Sequence, residues 1–141
     1  MSKHIFNLRM TAAYSSADND IASLEVQVLD DNEWATLDLN TKTPGFLIFV
    51  YSIFTCQHMF LRTNGTERNM VYASSQGEIL VETSEDWLLE KVDVRFDVNL
   101  VSSEANDDNI DYIVSRMKQC PVSKNLPQDI DIHTSIEFHS G

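Results

Sequence analysis

Cysteine is scarce in this chain: Cys56 and Cys120 are the only two among 141 residues, with no CxxC spacing between them. Two thiols without a His–Cys cluster nearby cannot supply the four ligands of a structural zinc site. Basic residues are scarce too, 10 Lys and Arg against 22 Asp and Glu, for a formal charge of −12. An anionic surface disfavours non-specific attraction to nucleic acid or anionic lipid, so neither is expected as a partner. Long hydrophobic runs are missing as well. The longest, Phe46 to Cys56, has eleven residues before Gln57, His58 and Arg62 intervene, against the roughly 20 that a membrane span needs. Met1 to Met10 has no continuous apolar core of a secretory signal. A cytoplasmic location is therefore expected, where a thiol pair is more often reactive or buried than a permanent disulfide. No repeat, low-complexity tract or linker divides residues 1–141, which read as one domain.

What is present is strand and helix periodicity. Lys3 to Tyr14 alternates, with Phe6, Leu8, Met10 and Ala12 on one face. Ser15 to Asp20 is a polar turn, and Ile21 to Leu29 alternates again through Leu24, Val26 and Val28. After the turn residues Asp30-Asp31-Asn32, Trp34 to Leu39 gives a third strand. Thr43 is placed to cap a helix that has Pro44 at its first position. The apolar pattern of that helix runs from Pro44 to Arg62, with Asn64-Gly65 as its stop. A buried strand over Phe46 to Ile53 is the competing reading, but the run exceeds one ordinary strand.

Asn69 to Thr83 reads as two short strands around a turn at Ser74-Ser75-Gln76-Gly77. Val92 to Leu100 is the cleanest strand, with Val92, Val94, Phe96, Val98 and Leu100 facing one way. Asn106 to Gln119 changes to helical period, with Ile110, Ile113, Val114 and Met117 forming its stripe. Pro121 limits it, and Ile130 to Phe138 closes the chain as a strand. The expected order is βββ-α-βββ-α-β, an α+β fold of antiparallel sheets around a long central helix.

Chemistry can be sought at the thiols. Cys56 has Ser52, Ile53, Met59 and Phe60 as its i±3 and i±4 neighbours, an apolar setting in which burial raises a thiol pKa. The plain alternative is a small hydrophobe in a core helix. Cys120 stands before Pro121-Val122-Ser123-Lys124, between Lys118 and Lys124, where free N–H groups and positive charge favour a thiolate. The two lie 64 positions apart (120 − 56), so only folding can bring them together. His58, two residues from Cys56, is rotated about 200° away and reads as a polar or interface residue. His4, His133 and His139 fall on strands without acid partners in sequence. Glu85-Asp86 and Asp107-Asp108 are explained by a turn and a helix N-terminus.

A thiol on an apolar central helix, followed by Gln119-Cys120-Pro121-Val122-Ser123-Lys124-Asn125-Leu126 after a second helix, resembles the OsmC/Ohr family of thiol peroxidases. The resemblance spans nearly the whole chain. It implies an OsmC-like fold and an intertwined homodimer with the long helices packed centrally. It also implies that Cys56 is the peroxidatic cysteine, oxidised by an organic hydroperoxide to a sulfenic acid. Cys120 would be the resolving cysteine, forming a disulfide that an external dithiol, such as a dihydrolipoyl protein, reduces. No metal or organic cofactor is implied. Phe49, Met59 and Phe60 would line the pocket for an organic peroxide. In that family an arginine, held by a glutamate at the start of the central helix, activates the thiolate. Here the helix starts Pro44-Gly45-Phe46-Leu47 without an acid, and Arg9 is the only arginine before it. Arg62 lies six residues past Cys56, about 240° around the helix. The alternative function is an OsmC-like binding or redox-sensing protein with an apolar interfacial pocket.

Overall fold

A computed structural model describes residues 3–101 and 106–140. Its strands are β1 (His4–Tyr14), β2 (Ile21–Asp30), β3 (Glu33–Thr36), β4 (Tyr72–Thr83), β5 (Leu89–Leu100) and β6 (Asp131–His139). Helix α1 (Gly45–Glu67) lies between β3 and β4, and α2 (Asp107–Met117) with a 3-10 turn (Ser123–Asn125) lies between β5 and β6. The strands form one sheet in the order β3-β2-β1-β4-β5-β6. The α+β class stands, with one strand fewer than expected and a single sheet in place of several. That sheet is not wholly antiparallel: β6 runs parallel to β5. Parallel neighbours need a crossover, which α2 and its following turn supply.

Alternation decides which face is dry. Leu8, Met10 and Ala12 of β1, Ile79 and Val81 of β4, and Val92, Val94, Phe96 and Val98 of β5 are buried on one face. The helices cover that face. Helix α1 turns Val50, Ile53, Phe54, Gln57, His58 and Leu61 inward, a spacing of three and four that keeps one stripe on the sheet. Its 23 residues are long and apolar enough, by length and composition, to cross a membrane. Here it serves as a core helix, although Ile48 (38%) and Met59 (52%) on its other side stay exposed. Helix α2 packs beside it through Ile113 and Met117, and Asn106 caps it by accepting from Asn109 N–H at 2.9 Å.

Four local expectations are corrected. Ser74 to Gly77 is the middle of one twelve-residue strand, β4. Ser75 and Gly77 pair with Ala12 and Met10 on one side and with Val98 and Phe96 on the other. Gly77 is small because aromatic rings sit over it: a Cβ there would meet the rings of Phe96 and Phe54. Helix α1 does not stop at Asn64-Gly65. Asn64 donates back to Phe60 O at 2.8 Å, and Gly65 leaves room for Tyr72, whose hydroxyl donates to Leu61 O at 2.9 Å. Asn69, with φ of 60°, makes the left-handed turn instead. At the other end Pro44 is the cap residue, without a side-chain bond. Thr43 Oγ1 accepts from Asn40 N–H at 2.9 Å instead of capping the helix. Strand β3 ends at Thr36 rather than Leu39.

The turn between β1 and β2 is also more than a polar connection. Asn19 is fully buried at φ 57°. Its amide nitrogen donates to Met70 O at 3.0 Å and to Thr66 Oγ1 at 3.1 Å, and its oxygen accepts from Tyr72 N–H at 2.7 Å. It thereby ties the sheet to the end of α1. Gly77→Ala should lower unfolding stability by about 1–3 kcal/mol through overpacking against the two rings. The urea midpoint measures it, and an unchanged midpoint would refute the close packing.

Candidate functional site

Cys56 is half-buried on α1, and Cys120 is fully buried just beyond α2. The crossover from β5 to β6 lays the Cys120–Asn125 segment beside α1, so Cys120 becomes a neighbour of the Cys56 thiol. The Cys56 thiol is pushed up to about 11, first by burial and then by the neighbouring Cys120 thiol. The Val122 backbone N–H works in the opposite direction.

Cys120 has a richer polar setting. Ser123 N–H donates to its sulfur at 3.4 Å, and Ser123 Oγ lies 3.1 Å from it. Ser123 Oγ in turn accepts from Gln57 Nε2 at 2.9 Å, and Gln57 Oε1 accepts from Thr134 Oγ1 at 3.2 Å. Gln57 is wholly buried, and Ser123 and Thr134 nearly so. A cavity of about 230 Å³ lies against this network, lined by Gln57, Lys118, Ser123, Ile132 and Thr134. Sequence reasoning missed Gln57 and Thr134. Each left a signal: Gln57 is polar within the inward stripe of α1, and Thr134 fills an inward slot between Ile132 and Ile136.

The other sequence-derived site residues fall elsewhere. Arg9 stands on the open face of the sheet, over the Trp34 ring at 4.2 Å and donating to Gln27. Within this chain the sheet lies between it and Cys56. Arg62 donates to Asn19 O at 3.3 Å and lies near Tyr14 and His58. No cation is among the groups that shift Cys56. Phe49 packs edge-on to Phe46, Phe60 is partly buried against the core, and Met59 is exposed. They line neither the 230 Å³ cavity nor the 720 Å³ groove on the open face of the sheet.

His58 is a core residue rather than a surface one. Its ring stacks on Phe96 and its Nε2 meets the Tyr14 hydroxyl at 2.8 Å, while that hydroxyl also meets Ser75 Oγ at 2.6 Å. His133 and His139 have acid neighbours after all, Asp131 at 2.7 Å and Asp97 at 3.3 Å. Among the described residues, exposed Asp97, Glu137 and His139 form a cluster of possible metal ligands, on the sheet face away from the thiols.

The fold has counterparts among solved structures. An OsmC-like protein from Mycoplasma pneumoniae aligns with a TM-score of 0.55 at 11% identity, over 98% of this chain and 97% of that one. The chain has the OsmC-like fold. An OsmC-like protein from Vibrio cholerae shares it at TM-score 0.52 and 10% identity, over 96% and 99% of the two chains. An OsmC-like hydroperoxide resistance protein from a Jannaschia species aligns at 0.50 and 13% identity, over 86% and 85%. No family model and no curated protein matches the sequence. Identities this low show the OsmC-like fold alone.

Burial, then the nearby Arg62 charge, lowers the His58 pKa from 6.5 to about 4. The unfolded chain therefore binds a proton that the folded chain refuses between those values, so stability falls as pH drops through that window. The loss should approach about 3 kcal/mol at pH 4. His58→Gln should remove this component, seen as a flatter difference in stability against pH by urea denaturation.

Proposed function

We propose that this chain is a divergent OsmC/Ohr family member that reduces organic hydroperoxides through its two thiols. One observation carries the reading: the chain's only cysteines, 64 positions apart, meet as a half-buried Cys56 and a fully buried Cys120. The Cys56 thiolate attacks the terminal oxygen of the peroxide, the O–O bond breaks, and the alkoxide leaves as the alcohol after taking a proton. Cys120 then attacks the sulfenic sulfur of Cys56, the S–O bond breaks, and the hydroxide leaves as water. An external dithiol reduces the disulfide by exchange, in the cytoplasm. Burial keeps the Cys56 thiolate scarce at neutral pH, so the first step is slow there.

Met59 and Ile48, exposed on the outer side of α1, support a homodimer in which two such helices pack together. Phe49, Met59 and Phe60 would then meet the organic part of the substrate at that interface. The raised Cys56 pKa favours a second reading, a slow redox sensor of the same fold.

Reduced protein mixed with one equivalent of cumene hydroperoxide should consume it and lose two thiols. The rate should rise about tenfold per pH unit between pH 7 and 10, as the thiolate fraction grows. Cys56→Ser should abolish peroxide loss, and Cys120→Ser should stop at a sulfenic acid. Persistent peroxide with both thiols free would leave a binding protein. Sedimentation tests the assembly: a dimer is expected, and Met59→Glu should shift it toward monomer.

A further inference from the structure

The polar network at Cys120 does more than fill a gap in the core. Three side chains from three elements, Gln57 of α1, Ser123 of the 3-10 turn and Thr134 of β6, are buried polar groups beside a largely apolar core. Buried polar groups cost stability unless paired, and here each one finds a partner in the next. Direction follows from their chemistry. The Thr134 hydroxyl donates to Gln57 Oε1, which turns the amide nitrogen, a donor only, toward Ser123. That bond takes one acceptor site of Ser123 Oγ. The Ser123 proton and the remaining lone pair are left for Cys120 sulfur, 3.1 Å away, and for the cavity on the far side.

We propose that Ser123, oriented by Gln57 and Thr134, is the proton relay of Cys120, connecting its thiol to solvent through the 230 Å³ cavity. In the thiol form the S–H proton is donated to Ser123 Oγ. On ionisation Ser123 accepts that proton while its own passes to water in the cavity, which has room for several molecules. The hydroxyl then turns its new O–H toward the sulfur. The thiolate is held by that O–H and by the Ser123 N–H at 3.4 Å.

The inference rests on the two-thiol reading for its catalytic meaning: Cys120 must be ionised when it attacks the Cys56 sulfenic acid. The proton it releases balances the one taken up by the departing hydroxide. Ser123 touches a reacting atom, whereas Gln57 and Thr134 are positioning residues. Gln57 directly follows Cys56, so the helix turn that carries one thiol also orients the relay of the other.

Cys56→Ser leaves Cys120 as the only thiol, and its ionisation can be followed by thiolate absorbance at 240 nm, with the Cys56→Ser, Cys120→Ser variant as blank. Adding Ser123→Ala should raise the midpoint by about one pH unit. Ser123→Thr should restore it, the added methyl having the cavity to occupy, and Gln57→Leu should raise it by a smaller amount. An unchanged midpoint in Ser123→Ala, or no restoration by Ser123→Thr in a natively folded protein, would overturn the relay. With both cysteines present, Ser123→Ala should prolong the life of the Cys56 sulfenic acid about tenfold, trapped with dimedone. If wild-type protein consumes no peroxide, the proposed function fails, and the absorbance midpoint still decides the relay.

Discussion

A strand that lies parallel to its predecessor cannot be reached by a tight hairpin. The chain must leave the sheet, cross one face and re-enter from the same end. Every other neighbouring pair in this sheet is antiparallel, and only β5 and β6 impose that detour. The detour consists of α2 and the Cys120 turn, and the face they cross already carries α1. The meeting of the thiols is thus a consequence of topology. With an antiparallel β6, α2 would have no need to cross the sheet face beside α1.

The same face explains the polar residues inside the core. A 23-residue helix laid on a twisted sheet presents a stripe longer than its apolar residues alone can fill. Gln57 and His58 take two adjacent inward positions, and each is satisfied by a different part of the chain. Gln57 looks to the crossover and β6, His58 to Tyr14 at the end of β1. Asn19 performs a similar service at the far end of the helix. These bonds add less in energy than the apolar contacts around them. Their effect is on register, because a slip of α1 along the sheet would strand three buried polar groups at once.

Much of the fold is legible in the sequence because one face of each strand is dry and one wet. The alternation of Leu8, Met10 and Ala12, and of Val92 through Leu100, is a direct record of that difference. Legibility fails where a residue is chosen for its tertiary neighbour. Gly77 imitates a turn because aromatic rings lie over it, Ser75 because its hydroxyl meets that of Tyr14, and Gly65 imitates a helix stop because Tyr72 needs its space. At the site, a pairing of the two cysteines is expected only through resemblance, since spacing alone does not reveal the crossover. For Arg9 a β position fixes only a face, and within this chain that face is the one without the thiols. Gln57 and Thr134 break their own periodic patterns, which marks them as buried polar groups but leaves their partners unnamed.

The long separation of the two cysteines has one more consequence. A bond between Cys56 and Cys120 would close a loop of 64 positions, removing enough freedom from the unfolded chain to be worth about 4 kcal/mol in the chain-entropy picture. The folded chain already brings the ends of that loop to the same side of the sheet. Oxidation would therefore register mainly in the ensemble that the protein does not occupy. The oxidised chain would resist unfolding more than the reduced one while looking almost the same, and its reductant would act against that added cohesion.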